Sequence, residues 1–221
     1  MCGRATLITD VSEIAELFGA APIDVGPPRY NLAPTLPMVI VRETKDRASR
    51  EMALARWGLI PHWAKSDEAK KIGSRCVQAR VESAARSPAF RDAFRTRRCL
   101  VIVDGFYEWK TLDDGERRPH HVRREDRRPF AIAGLWESWR GSDGAVVQSC
   151  AVVTTEATGT IRELHDRMPI VVGSDAASRW LSGSPEDAAQ IVSTSSDLVV
   201  VPVSRWVNDA RHDDPRCLEP A

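Results

Sequence analysis

The sequence predicts an α+β fold, with a mainly antiparallel sheet or barrel-like β core and short peripheral helices. Two observations predict it. Strand-like apolar runs outnumber helical patterns, and the two do not alternate in the regular order of a doubly wound parallel sheet. Charged, turn-rich stretches separate the strand-like runs after residue 98. A chain of 221 residues, 43% hydrophobic and 28% charged, suits one domain, 1–221, with an irregular tail from about residue 207.

Asp10-Val-Ser-Glu-Ile-Ala-Glu-Leu-Phe18 has the spacing of a short amphipathic helix, with Asp10 or Ser12 as its cap and Gly19 as its stop. The Pro-rich stretch from Pro22 to Pro34 reads as a loop ending in Tyr30-Asn31-Leu32-Ala33-Pro34. Strands are expected at Met38–Arg42 and Met52–Trp57. Ser87–Arg95 reads as a helix with Pro88 in its first turn. Strands follow at Cys99–Val103, Phe106–Lys110, Pro129–Trp136 and Val146–Thr154. A helix over Thr158–Leu164 leads into His165-Asp-Arg-Met-Pro169 and a strand at Ile170–Val172. Ser174–Leu181 and Pro185–Val192 read as helices, and Leu198–Val203 as the last strand.

No run of 18 apolar residues is present, and the polar start Met1-Cys2-Gly3-Arg4 does not resemble a secretory segment. The expectation is a cytosolic protein, at the nucleoid when bound to DNA, with no membrane association. The five cysteines include no Cys-x-x-Cys pair, which argues against a disulfide framework or structural zinc site. Cys99 and Cys150 lie in apolar runs and read as buried, whereas Cys217 reads as incidental in a polar tail. No metal-ligand spacing, Gly-rich phosphate loop or Gly-x-Ser-x-Gly elbow occurs, so neither metal nor cofactor is expected. Net charge is zero, yet Arg75–Arg98 holds seven Arg against Glu82 and Asp92. That run reads either as a solvated helix face or as a phosphate-tracking groove.

Three groups carry candidate chemistry. Removal of Met1 would leave Cys2 with an α-amine beside a thiol, whose reference pKa values are about 7.7–8.0 and about 8.5. Such a 1,2-aminothiol condenses with an aldehyde and closes to a thiazolidine, which a lone thiol cannot do. Glu108, within Asp104-Gly-Phe-Tyr-Glu-Trp109, shares a strand face with Phe106 and Lys110, while Trp109 shares one with Tyr107. A carboxyl among aromatics is open to desolvation and to acid–base duty; a hairpin rim with an exposed Glu is the alternative. Gly105 reads as a bulge or turn. His165 stands at a helix-to-strand junction, whereas His120 and His121 fall in a charged loop.

In order along the chain, these motifs resemble the SOS response-associated peptidase family, whose members shield abasic sites in single-stranded DNA. The resemblance runs through Met1-Cys2-Gly3-Arg4, Tyr30–Pro34, Trp57-Gly-Leu-Ile-Pro-His-Trp63, Ala79-Arg-Val-Glu-Ser83, Phe90–Arg95, Arg98-Cys-Leu100, Asp104–Trp109 and His165–Pro169. It implies that family's fold. It implies a covalent thiazolidine between Cys2 and the ring-opened deoxyribose, after autocatalytic removal of Met1. It further implies that Glu108 shuttles protons at the amine, that His165 acts on the sugar, and that Arg4 and Arg80 bind flanking phosphates. Pro34 and Trp109 would stack or wedge against bases, which suits single strands, 3′ ends or junctions. Asn31, Trp63 and Arg167 join them as expected DNA contacts, and a monomer is expected. Where the family has Asn-Ala-Arg, this chain reads Gln78-Ala79-Arg80. The Asn would orient the sugar beside Cys2, and Gln78 carries the same amide on one more methylene.

Two other functions use the same residues. An N-terminal-nucleophile thiol peptidase would employ Cys2 with its own amine as base, and would turn over peptides other than its Met1. A non-covalent single-strand or junction DNA-binding module would bind in a salt-dependent way without an adduct.

Overall fold

The computed structural model describes residues 3–191, 193 and 197–221. The first half of the chain contains β1 (Ala5–Leu7), α1 (Val11–Phe18), β2 (Ala20–Ala21), β3 (Arg29–Leu32), β4 (Pro37–Glu43) and β5 (Arg50–Trp57). Next come α2 (Ala69–Arg75), β6 (Gln78–Arg80), α3 (Val81–Ala84), α4 (Arg91–Thr96), β7 (Arg98–Val103) and β8 (Gly105–Thr111). The second half adds β9 (Arg117–Arg124), β10 (Phe130–Arg140), β11 (Val146–Glu156), β12 (Arg167–Pro169) and β13 (Val171–Val172). It ends with α5 (Ser174–Ser182), α6 (Pro185–Ala189) and β14 (Leu198–Pro202). Three 3₁₀ turns cover Gly159–Glu163, Arg205–Asn208 and Pro215–Leu218.

The fold is α+β and mainly antiparallel. β5, β4, β7, β10 and β11 pair in succession, and β11 returns to β5 in parallel through Ser149–Arg56 and Cys150–Trp57. That closes a barrel and leaves none of these five strands as an open edge on both sides. Val41, Leu100, Ile102, Ala133, Leu135 and Val153 are fully buried and share one face of these strands by alternation and register. A second, five-stranded antiparallel sheet has the order β14-β9-β8-β1-β3. Only Asp104 separates β7 in the barrel from β8 in this sheet. Its carboxylate ties the turn after β1, accepting from the N–H groups of Ile8 and Thr9 and, at 2.6 Å, from the Thr9 hydroxyl.

Local signals place several elements as read. Asp10 caps α1 by accepting from the Ser12 N–H at 2.8 Å, and Gly19 ends it at φ 63°. Cys99 and Cys150 are fully buried.

Other elements differ. Tyr30-Asn31-Leu32, expected in a loop, belongs to β3, because β1 offers it an edge. The helix expected from Ser87 starts at Arg91, after a single turn in which the Arg91 N–H bonds to Ser87 O at 2.8 Å. The helix expected over Thr158–Leu164 is a 3₁₀ turn, Gly159–Glu163, and Arg167–Pro169 forms a short strand. α6 stops at Ala189, and Val192 lies outside the described residues. His120 and His121 are in β9, not a loop. The Arg75–Arg98 run is not one helix face, since it spans α2, β6, α3, α4 and β7. Arg98 itself is buried, bonding to carbonyls of Phe94, Trp180 and Gly183. The tail from 207 packs on the five-stranded sheet: Val207 and Cys217 are fully buried beside Tyr107 and Val203. Cys217 is thus a packing residue rather than an incidental one.

Candidate functional site

Glu108 is 1% exposed, and burial raises its pKa above the ordinary carboxylate value. Its position follows from register. β1 runs antiparallel to β8 with Ala5 opposite Phe106, and the Tyr107 N–H bonds to Arg4 O at 3.0 Å. Glu108 is the next residue along β8 after Tyr107, and Gly3 is the residue before Arg4. Cys2, the next residue, lies outside the described residues. On its other side Glu108 pairs with His120 of β9, a neighbour that no sequence motif identified. Burial lowers the pKa of His120, and its Nδ1 lies 3.0 Å from Arg118 O.

Alternation along β8 sends Tyr107 and Trp109 to the opposite face, which the tail covers. There Trp109 donates to Asn208 Oδ1 at 2.7 Å, and its ring lies 6.3 Å from Tyr107. Arg4 sits 5.9 Å from the indole centroid and donates to Asn31 Oδ1 at 2.8 Å and Val207 O at 2.9 Å. Asn31 is fully buried. Its amide donates to Val207 O, Asp209 O and His212 O at 3.2, 3.0 and 2.7 Å. Asn31 therefore fastens Arg4 and the tail to β3, and has no surface to offer a nucleic acid.

A second group forms around β11. β6 pairs with it in parallel on one side, Gln78 opposite Val152 and Arg80 opposite Thr154. β12 pairs antiparallel on the other, Glu156 opposite Arg167 and Thr154 opposite Pro169. Gln78–Arg80 and Arg167–Pro169, far apart in sequence, are thereby separated by one strand. Gln78 is half-buried and Arg80 exposed. Arg80, Glu156, Arg162, Asp166 and Arg167 line a cleft of about 330 Å³. Arg167 is largely buried; it grips both Glu82 carboxylate oxygens, at 2.8 and 2.9 Å, and donates to Thr154 O at 2.7 Å. These bonds hold Glu82 below the usual carboxylate range. Arg167 is a strut between α3 and β12, while Arg80 and Arg162 present free surface.

His165 follows the 3₁₀ turn and is partly exposed. Its Nδ1 meets two groups that demand opposite protonation: the Arg167 N–H, which needs an acceptor, at 3.0 Å, and the Asp166 carboxylate, which needs a donor, at 2.6 Å. Asp166 is 83% exposed and can turn away, so the backbone contact defines the resting state, with Nδ1 accepting and the proton on Nε2. Burial lowers the His165 pKa, in favour of that neutral form.

Pro34 occupies the first central position of the Ala33–Leu36 turn, where Leu36 N bonds to Ala33 O at 3.2 Å. Thr35 follows at φ 80°, a conformation that a β-branched residue rarely adopts. Trp63 is 49% exposed, with its indole N–H bonded to Pro88 O at 3.2 Å. Arg117 was not singled out by any motif. It is exposed, and its guanidinium lies 5.8 Å from the Trp109 centroid. No cluster of three or more His, Cys, Asp or Glu suited to a metal occurs among the described residues.

Comparison with known proteins places this geometry in context. Residues 1–210 match the family model described as SOS response associated peptidase (SRAP). The chain is 32% identical to the abasic site processing protein YoqW of Bacillus subtilis, over 99% of both chains. It is 27% identical to the abasic site processing protein HMCES of Xenopus tropicalis, covering 86% of this chain and 65% of that one. A crystal structure of a protein from Bacteroides thetaiotaomicron shares the fold, with TM-score 0.87 and 20% identity over the whole of both chains.

Proposed function

The chain belongs to the SOS response associated peptidase family, and from that premise we propose that it processes abasic sites in single-stranded DNA by covalent capture through Cys2. Hydrolysis of the Met1–Cys2 peptide bond frees the α-amine. The amine adds to the aldehyde of the ring-opened deoxyribose, water leaves, and the Cys2 thiolate closes on the imine carbon. The resulting ring contains one new C–N and one new C–S bond, and the imine nitrogen takes up the proton. The protein acts on itself and on DNA, and a low-turnover peptidase and crosslinking activity follows.

The observation that carries this reading is the buried carboxyl of Glu108, next along β8 from Tyr107, whose N–H bonds to Arg4 O two residues from Cys2. A carboxyl whose pKa is raised by burial exchanges protons with an amine more readily than an exposed one does. Glu108 serves Met1 removal, imine formation and reversal. His165, as a neutral imidazole, exchanges protons with the sugar, and Gln78 orients the sugar from β6. Arg80 and Arg4 meet flanking phosphates, and Trp109, Pro34 and the exposed Trp63 offer surfaces for unpaired bases. Arg167 and Asn31 contribute by holding Glu82, β12, Arg4 and the tail in place rather than by touching DNA.

The test is incubation of the mature protein with single-stranded DNA bearing one abasic site, followed by a denaturing gel. A heat-stable adduct in wild type that is lost in Cys2→Ala is expected. No wild-type adduct, or an undiminished one in Cys2→Ala, refutes the proposal. Salt-dependent binding without an adduct would leave a DNA-binding module, and turnover of foreign peptides a thiol peptidase.

A further inference from the structure

A cavity of about 400 Å³ lies on the face of the five-stranded sheet opposite Glu108. Register builds it. His121 of β9 stands between Tyr107 of β8 and Val201 of β14. Arg123 stands opposite Gly105, which in turn faces Thr6 of β1. Alternation puts all of these on the Tyr107 face. Thr6, His121, Arg123 and Val201 line the cavity, Val203 and Leu218 wall it from the C-terminal segment, and Arg127 reaches it from the turn after β9. The volume is that of a small-molecule site.

His121 is only 5% exposed, yet one of its ring nitrogens is uncommitted. The ring leans over Gly105, where a Cβ would come within 2.6 Å of Cε1. The Thr6 hydroxyl has one proton to give; it lies 3.0 Å from His121 Nε2 and 3.4 Å from Gly105 O. The shorter contact takes that proton, so Nε2 accepts and the neutral ring carries its own proton on Nδ1. Nδ1 bonds to no described residue and is not sealed off, so it opens into the cavity that the ring lines.

We propose that this cavity binds a small organic anion, a carboxylate or phosphate monoester on a short apolar body. The head group lies among Arg123, Arg127 and His121 Nδ1–H, and the body against Val201, Val203 and Leu218. The charge of the ligand follows from the donors that remain unspent. The Arg127 side chain has no hydrogen bond or ion pair with a described residue. Arg123 commits one guanidinium nitrogen, to the carbonyls of Arg124 at 2.8 Å and Glu125 at 3.4 Å, and keeps its other donors. Asp104 is the single acid among the lining residues. Its carboxylate is already taken by the N–H groups of Ile8 and Thr9 and by the Thr9 hydroxyl. What remains is two guanidinium groups and one imidazole N–H, a set that suits an anion and repels a cation. The site uses neither Glu108 nor Cys2, so it stands apart from the abasic-site reading.

The experiment titrates the full, isotope-labelled chain with hexanoate and, separately, with hexyl phosphate. NMR follows the His121 ring and the methyl groups of Val201 and Leu218. Saturable shifts at all three are expected, with Kd about 1 mM, the scale for a ligand this small. Saturation by either anion supports the site, and the tighter one names the head group. Hexanol and hexylamine should leave the three signals in place. The ring nitrogen shifts of bound His121 should show the proton on Nδ1. Arg127→Asn keeps a residue that tolerates the φ of 60° at this turn. That variant and Arg123→Gln should each weaken binding about tenfold, the scale of one charge-assisted hydrogen bond, with the urea midpoint of the empty protein unchanged. Failure of both anions to saturate below about 20 mM overturns the proposal. So does hexanol binding as tightly as hexanoate, or a bound-state His121 proton on Nε2.

Discussion

Gly105→Ala tests how the five-stranded sheet positions Glu108. Gly105 has an ordinary backbone conformation, so the substitution introduces contact rather than φ strain. A methyl group there overlaps His121 Nε2 and comes within 2.6 Å of His121 Cε1 and 2.7 Å of Val122 O. The carbonyl belongs to the β8–β9 ladder and cannot move alone. The ring cannot turn freely either: Nε2 lies 3.0 Å from Thr6 Oγ1, and the imidazole packs 4.9 Å from Tyr107. Relief requires β8 to separate from β9. Overpacking of this kind costs about 1–3 kcal/mol, and loss of the Thr6–His121 bond adds about 1 kcal/mol. The expected destabilisation is about 3 kcal/mol in urea unfolding, with Tm lower by about 6–12 °C for a chain of this size. Adduct formation should fall as well, because Glu108 lies three residues along the displaced strand. A change below about 0.5 kcal/mol would refute the packing argument.

Asn31→Ala removes the amide that donates to three tail carbonyls and one of the anchors of Arg4; a loss of about 2–3 kcal/mol in unfolding free energy is expected. Limited proteolysis should then cut first between residues 205 and 221. His121 supplies a pH dependence: burial holds its folded pKa at about 3, against about 6.5 unfolded. Between those values the unfolded chain binds the extra proton, so stability is intact above pH 6.5 and falls as pH drops toward 3, by at most about 1.4 kcal/mol per unit. Urea midpoints measured from pH 7 to 4 should show that slope, and His121→Gln should flatten it.

The sequence revealed those parts of the fold whose signals are local. Asp10 and Gly19 bound α1 because caps act within one turn, and the apolar runs at Cys99 and Val146 became barrel strands. β9 was hidden because four of the eight residues of Arg-Arg-Pro-His-His-Val-Arg-Arg are arginines and another is proline. Its burial is confined to Pro119, His121 and Val122, and it becomes a strand through β8 and β14 on either side. The burial of the tail was hidden for a related reason. Its anchor, Asn31, sits more than 170 residues earlier in the chain, so only the folded contact shows it. The candidate site was legible as an ordered set of motifs, but not as a division of labour. Arg167 and Asn31 look like Arg80 and Trp63 on paper; hydrogen bonding makes the first two supports and leaves the last two at the surface. Arg117 escaped notice because its neighbours across β8 are set by register, not by spacing.

Peptide mapping of the adduct by mass spectrometry tests covalent capture through Cys2 most directly. The DNA remnant should sit on the N-terminal Cys2-Gly3-Arg4 peptide, without Met1, at the summed mass of the two reactants less one water. A remnant on any other residue, or an adduct in which Met1 is retained, would contradict the account.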